Sequence, residues 1–431
     1  MSATSDLLDF ARAEHRLGGS TKAAASRLLA DTLAVGAAGA SASAPVEAAA
    51  ATWGTGKDAR LLGRGGRLPA PSAAFVNGFR IHCLEWDSVH AGAVVHAMSV
   101  VTAAIAAAID RRGGCEPEEA LVALAVGVDI ASGLGIASTG AMRFFRPATA
   151  GGIGAALAVA RIDRIGRFED VLGLAYSQAA GTMQAHVEGS VALPLQIANA
   201  ARAAISAVDL VRAGLGGPHQ ALEGPFGYFR LFEEGELSAY TNHLGSAWLI
   251  EQVSTKPYPS GRASHALLGS IDDLLRAGEI SADDVAFVEA HVPPLVRRLV
   301  DRPMLPEMSA SYARLCLPWL TALMLEDRCI DSRRFTKDAF ADPVLAERAG
   351  TLTILLDDNE DPNALEPQRI VVRLRDGSSI ERRVAQMLGG PDAPMTHEQS
   401  RAKQDLAREL AGEVPDQRVF DDPLGYFTDP R

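Results

Sequence analysis

Cysteine is scarce in this chain of 431 residues. Its four examples, Cys83, Cys115, Cys316 and Cys329, are scattered through apolar or helical-looking contexts. They show no metal-site spacing and follow no secretory leader, so a disulfide framework is not expected and a reducing cytoplasm is the simplest location. Positive charge is also in short supply. There are 41 Lys and Arg against 53 Asp and Glu, a net charge of −12, and no basic cluster interleaved with aromatics. That balance argues against nucleic acid or an anionic membrane surface as partner. An anionic substrate would need local cations to overcome the field of the whole molecule. The first residues, M-S-A-T-S-D-L-L-D-F, have neither a basic n-region nor an apolar h-region, and Gly, Asp or Arg breaks the Ala-rich runs before membrane-spanning length. A phosphate loop is missing too: the Gly/Pro/Arg-rich stretch 54–71 lacks G-K-[ST] and reads as an ordered loop. Gly151-Gly152-Ile153-Gly154 has neither the preceding strand nor the later acidic residue of a dinucleotide site.

Hydrophobic residues make up 48% of the chain, enough for two cores. Ser20-Thr21 opens a helix with apolar residues at helical spacing, and the segment after Gly113-Gly114 reads as a second, buried helix whose glycines permit close packing. Near residue 253 the pattern changes. A helix is expected near 266–277, a half-buried strand in D-D-V-A-F-V-E-A-H-V, a helix at about 309–326, and a hairpin turning at Asp376-Gly377. The fold expected is mainly α, a large all-helical domain followed by a smaller α+β domain.

The stretch from Ala73 to Asp110 concentrates the chemistry. His82, Glu85, Asp87, His90 and His96 fall within fifteen residues, next to a long, nearly uncharged Ala/Val/Ile segment. On a helix, His82 and Glu85 would share a face, as would Asp87 and His90. Such a cluster is either a site or a charged helix edge with capping histidines. A metal site is not expected, because no second Cys/His group with ligand spacing supports one.

Asn77-Gly78, H-C-L-E-W-D-S-V-H from His82 to His90, and then His96 together resemble the MmgE/PrpD family. Its signature there is N-G…H-x-L-D-[FY]-D-D-T-H…H-P-S. Lys256 to His265, K-P-Y-P-S-G-R-A-S-H, resembles the family's K-x-Y-P-[ST]-[CH]-x-x-x-H. The resemblance extends over nearly the whole chain. It implies that the C-terminal segment returns to the helical part, giving a helical domain of residues 1–252 and 395–431 and an α+β lid of residues 253–394. Members include 2-methylcitrate dehydratase, cis-aconitate decarboxylase and iminodisuccinate epimerase. The implied substrate is a small polycarboxylate held between core and lid, handled by proton abstraction next to a carboxylate, with no organic cofactor.

Carried over by motif, Glu85, Asp87, His90, His96 and Lys256 are the expected catalytic residues. His82, Arg146, Tyr258, Arg262 and His265 are the expected substrate-binding ones, with Arg146 standing where a histidine is usual. Leu193 replaces a lysine, Gln196 a histidine, and Gly261 a Cys or His, so the pocket has changed character. Three readings follow: a dehydratase-like lyase, an epimerase or isomerase, and a binding protein without catalysis. A homodimer is also expected, from the long apolar segments and the family's usual assembly.

Overall fold

The computed structural model describes residues 2–431. Ten helices within residues 3–212 build most of the N-terminal part: α1 (Ala3–Arg12), α2 (Gly19–Gly39), α3 (Ala44–Ala51), α4 (Ala70–His82), α5 (Ala97–Arg112), α6 (Pro117–Ile136), α7 (Arg146–Ile162), α8 (Phe168–Ser177), α9 (Gln184–Glu188) and α10 (Ala192–Arg212). Their ends follow local chemistry. Pro117 sits in the first turn of α6 with Glu118 and Glu119 at its positive end, and α5 stops at Gly113, whose φ is 88°, after Arg111 and Arg112. The Ala/Gly composition lets these helices pack closely. A Cβ added to Gly154 of α7 would meet the Gly127 carbonyl of α6 at 2.3 Å. The Gly151–Gly154 run is therefore a helix-packing surface and not a nucleotide loop. Helix α6 is long and apolar enough to span a membrane, yet 89% of its most apolar window is buried inside the fold. The loop 54–71 carries a short antiparallel ladder, β1 (Ala59–Arg60) with β2 (Arg67–Leu68).

The C-terminal part holds one four-stranded sheet in the order β4-β3-β5-β6. Here β3 is Val285–Val292, β4 Leu352–Leu356, β5 Gln368–Leu374 and β6 Ser379–Val384. The β5–β6 hairpin turns at Asp376-Gly377, where Gly377 has φ 91° and Asp376 Oδ1 accepts from the Ser378 amide. One face of β3 and β5, with Val288, Ala290, Val292, Ile370 and Val372, is buried. Helix His265–Arg276 packs on this sheet and on the helix Leu317–Asp327. The single helix expected at 309–326 is two pieces, Ala310–Ala313 and Leu317–Asp327, because Pro318 fits only the first turn of a helix. Helix His397–Ala411 leaves the sheet region and packs against α2, where Lys403 meets Asp31 at 2.6 Å.

Candidate active site

The acidic and histidine-rich stretch is not helical. Helix α4 ends at His82, and residues 83–96 form a loop in which Glu85 and Val94 both take a left-handed φ of 52°. A non-glycine residue held there costs of order 1–3 kcal/mol, so the surroundings must impose it. They do so from three directions. Val89 pairs with Ser254 in an antiparallel bridge, Trp86 Nε1 donates to the Pro257 carbonyl at 3.2 Å, and Lys403 Nζ donates to the Trp86 carbonyl at 3.2 Å. The Val89–Ser254 bridge also delivers Lys256, two residues further on, beside the acids.

Asp87 is the centre of the cluster. Its Oδ2 accepts from His82 Nδ1 and His96 Nδ1, each at 2.9 Å, and from the Ser99 hydroxyl at the start of α5. Its Oδ1 faces Lys256 Nζ at 3.8 Å. His82 Nε2 lies 3.2 Å from Glu85 Oε1, a charge contact without hydrogen-bond alignment, and Lys256 Nζ donates to Glu85 Oε2 at 3.3 Å. The rule that i,i+3 residues meet thus holds for His82 and Glu85, but through a turn. The expected Asp87–His90 partnership does not form.

Burial opposes every charge here, and the charges outweigh it by neutralising one another. For His82, burial works against the cation, but Asp87 and Glu85 raise the pKa to about 10. For Asp87 and Glu85, burial is overcome by His82 and Lys256, which hold both carboxyls well below their usual range. His96 is different. Burial lowers its pKa, Lys256 and His82 reinforce the effect, and Asp87 only partly offsets it. His82 is therefore a fixed imidazolium, and His96 a neutral ring at pH 7. With Nδ1–H committed to Asp87, the lone pair of His96 sits on Nε2.

A small cavity of about 60 Å³ opens in front of this cluster. Glu85, His96, His186 and Arg262 supply its ionisable lining, and Val94, Met142, Phe145, Leu193, Val300 and Leu315 are among its apolar walls. His82, Asp87 and Lys256 stand behind Glu85 and His96. The His82, Asp87 and His96 ligand-type atoms lie within 4.8 Å of one another, a spacing a metal could use. Both Nδ1 atoms, however, are spent on Asp87, and the Lys256 ammonium already supplies positive charge there.

Several expected roles change with this geometry. Lys256 is fully buried and bound to Glu85 and the Ser260 carbonyl, so it sets the state of Glu85 instead of reaching substrate. Arg146 makes a bidentate pair with Glu233, both bonds 2.9 Å, and gives its remaining N–H groups to the Ala93 and Gly140 carbonyls and Asn363. No donor remains for a ligand. Tyr258 donates to Asp272 at 3.1 Å. His265 contacts Ser260 and is kept neutral by burial and Arg262. His90 Nδ1 accepts the Ala93 amide at 3.1 Å, bracing the 90–95 turn, and burial lowers its pKa to about 4. None of these five residues lines the cavity. Arg262 does, but both its Nη groups donate to the carbonyls of Leu388 and Met387, at 2.6 and 3.0 Å. Gln196 lies in a separate depression with Thr149 and Gly181.

Sequence reasoning passed over His186. It lines the cavity, burial lowers its pKa to about 3, and its Nδ1 faces Arg302 Nη2 at 3.4 Å, which assigns the ring proton to Nε2. Its signal was available, because it lies seven residues before Leu193 in the segment that carries the resemblance.

Comparison with known proteins identifies the family. The profile of the MmgE/PrpD N-terminal domain matches residues 13–240, and that of the C-terminal domain residues 258–421. The chain is 26% identical over 414 residues to the cis-aconitate decarboxylase-like protein oryM of Aspergillus oryzae, covering 85% of this chain and 82% of that one. It is 25% identical over 349 residues to cis-aconitate decarboxylase of Homo sapiens, covering 77% and 71%. To cis-aconitate decarboxylase of Aspergillus terreus it is 26% identical over 390 residues, covering 83% and 78%. With both domain profiles matched across most of its length, the chain belongs to the MmgE/PrpD family.

Proposed function

We propose that this protein is a lyase that removes a proton from the carbon next to a carboxylate and then expels a hydroxyl from the neighbouring carbon. The observation that carries this reading is His96, a partly buried neutral imidazole on the cavity wall whose Nδ1 is pinned by ionised Asp87 and whose Nε2 has no protein partner among the described residues. Such a ring accepts a proton near neutral pH, and Asp87 stabilises the imidazolium that results. The electron pair left on carbon passes into the carboxylate and then displaces the hydroxyl, which departs as water with the proton His96 had taken. Glu85, held ionised at the cavity wall, accepts a hydrogen bond from that hydroxyl, and neutral His186 donates one to the substrate. Every step uses side chains of this chain. The names of the relatives, which are lyases acting on a carboxylate, support the same class.

The test is proton exchange in deuterated water, followed by NMR, with purified protein and a panel of small hydroxy and unsaturated acids. Deuterium incorporation together with loss or gain of water supports the lyase. Incorporation with inversion and no net turnover would instead make the protein an epimerase, and no incorporation in any acid that binds would leave a binding protein. We further propose a cytoplasmic homodimer, consistent with four free thiols and with exposed Val187, Val191 and Phe226 in the helical part.

A further inference from the structure

We propose that the substrate carries a single carboxylate and an apolar alkyl or aryl arm, and that Leu193, Gly261 and Leu315 set this preference; the inference rests on the acid–base reading above. The first support is a charge count. The charges behind the polar face cancel in pairs, Asp87 and Glu85 against His82 and Lys256. Among the lining residues Arg262 is the one permanent cation, and only its Nε lacks a partner. Other arginines lie behind the wall and none of them lines the cavity: Arg302 donates through Nη2 to the His186 and Leu299 carbonyls at 3.0 and 3.2 Å with its Nη1 unpartnered, Arg298 donates to the Met142 carbonyl, and Arg314, its Nε unpartnered, lies over the Phe335 ring. A tricarboxylate would place at least two carboxylates against Leu193, Leu315 and anionic Glu85, and a buried charge without a partner is strongly disfavoured.

The second support is the way the wall is built. A Cβ on Gly261 would lie 2.8 Å from Leu315 Cδ2. Leu315 thus occupies the space a side chain at 261 would need, so the missing polar group has been replaced by a hydrocarbon surface and not by a hole. Leu193, buried at 3% exposure, lines the same cavity together with Val300 and Phe145. An apolar arm gains from this surface, and a hydrated carboxylate does not.

Isothermal titration of the full-length protein with 3-hydroxy and 2,3-unsaturated monocarboxylates bearing arms of one to five carbons, against citrate and cis-aconitate, tests the proposal. Affinity should rise about fourfold per methylene over the first few carbons and exceed that for both tricarboxylates at least tenfold. Leu193→Lys should narrow or reverse that order, whereas Leu193→Met should keep it. Tighter binding of a tricarboxylate, affinity independent of arm length, or binding by no member of the panel would each overturn the inference. Alkyl acids that bind with the predicted trend yet exchange no proton in deuterated water would leave this substrate class standing and refute the acid–base reading alone.

Discussion

The two faces of the cavity are built on different principles. The polar face is compact in sequence: Glu85, Asp87 and His96 come from one loop, His82 from the helix before it, and Lys256 from the irregular segment whose Ser254 bridges to that loop. Each member fixes the charge of another, so removing one changes them all. The apolar face is assembled from distant segments, with Leu193 at the start of α10, Gly261 before a short helical turn, and Val300 and Leu315 near helices of the C-terminal part. No charge couples those residues, and each can be exchanged at the cost of packing alone. On the proposed reading, chemistry rests on the cooperative network and recognition on the modular wall.

The contrast can be broken most sharply at His96. His96→Gln should lower the rate on the true substrate by about 10²–10⁴ with the fold intact by circular dichroism; retained activity would move the base elsewhere. Next in size is Lys256→Met. Removing one partner of a buried pair costs about 3–5 kcal/mol, to be read from urea unfolding. Arg146→Met breaks another buried pair, with Glu233, and should cost stability in the same way. Its substrate affinity should nevertheless stay unchanged when measured well below the transition, because Arg146 does not reach the cavity.

Smaller effects concern pH. The His82 pKa is raised in the folded state, from about 6.5 to about 10, so its stabilisation is complete below pH 6.5 and is lost as pH rises toward 10. Thermal unfolding across that window should show the loss, and His82→Gln should flatten it. His96 is shifted downward, so the acid limb of kcat/KM should fall below pH 6.5; a limb above 6.5 would contradict its neutral state. The smallest effect is on assembly. Sedimentation should give twice the 45.4 kDa chain mass, and Phe226→Glu, at a side chain 77% exposed, should weaken that association by disturbing an apolar contact.

Helix positions were legible because apolar periodicity and Gly/Pro punctuation are local signals, as in α2, α6 and the β5–β6 hairpin. The loop 83–96 was not, since only tertiary contacts force Glu85 to a φ of 52°. Strand β4 was missed for a similar reason: L-T-I-L-L is a short apolar run, and its parallel pairing with β3 depends on a crossover that no local pattern announces. Motif spacing identified Glu85, Asp87, His96 and Lys256 as neighbours. It could not say that Lys256 and Arg146 would be consumed by Glu85 and Glu233, because partner choice among buried charges is a property of the packed structure. His186 was passed over although Glu188 stands two residues away, because only tertiary packing turns its ring toward the cavity.

The central claim is that two histidines on one aspartate hold opposite states, His82 charged and His96 neutral with its lone pair on Nε2. Histidine-labelled ¹⁵N NMR of the full-length protein at pH 7, assigned with His82→Gln and His96→Gln, reads both rings directly. The account predicts two protonated nitrogens on His82 and protonation at Nδ1 only on His96. An imidazolium at His96, or a proton on its Nε2, would contradict it.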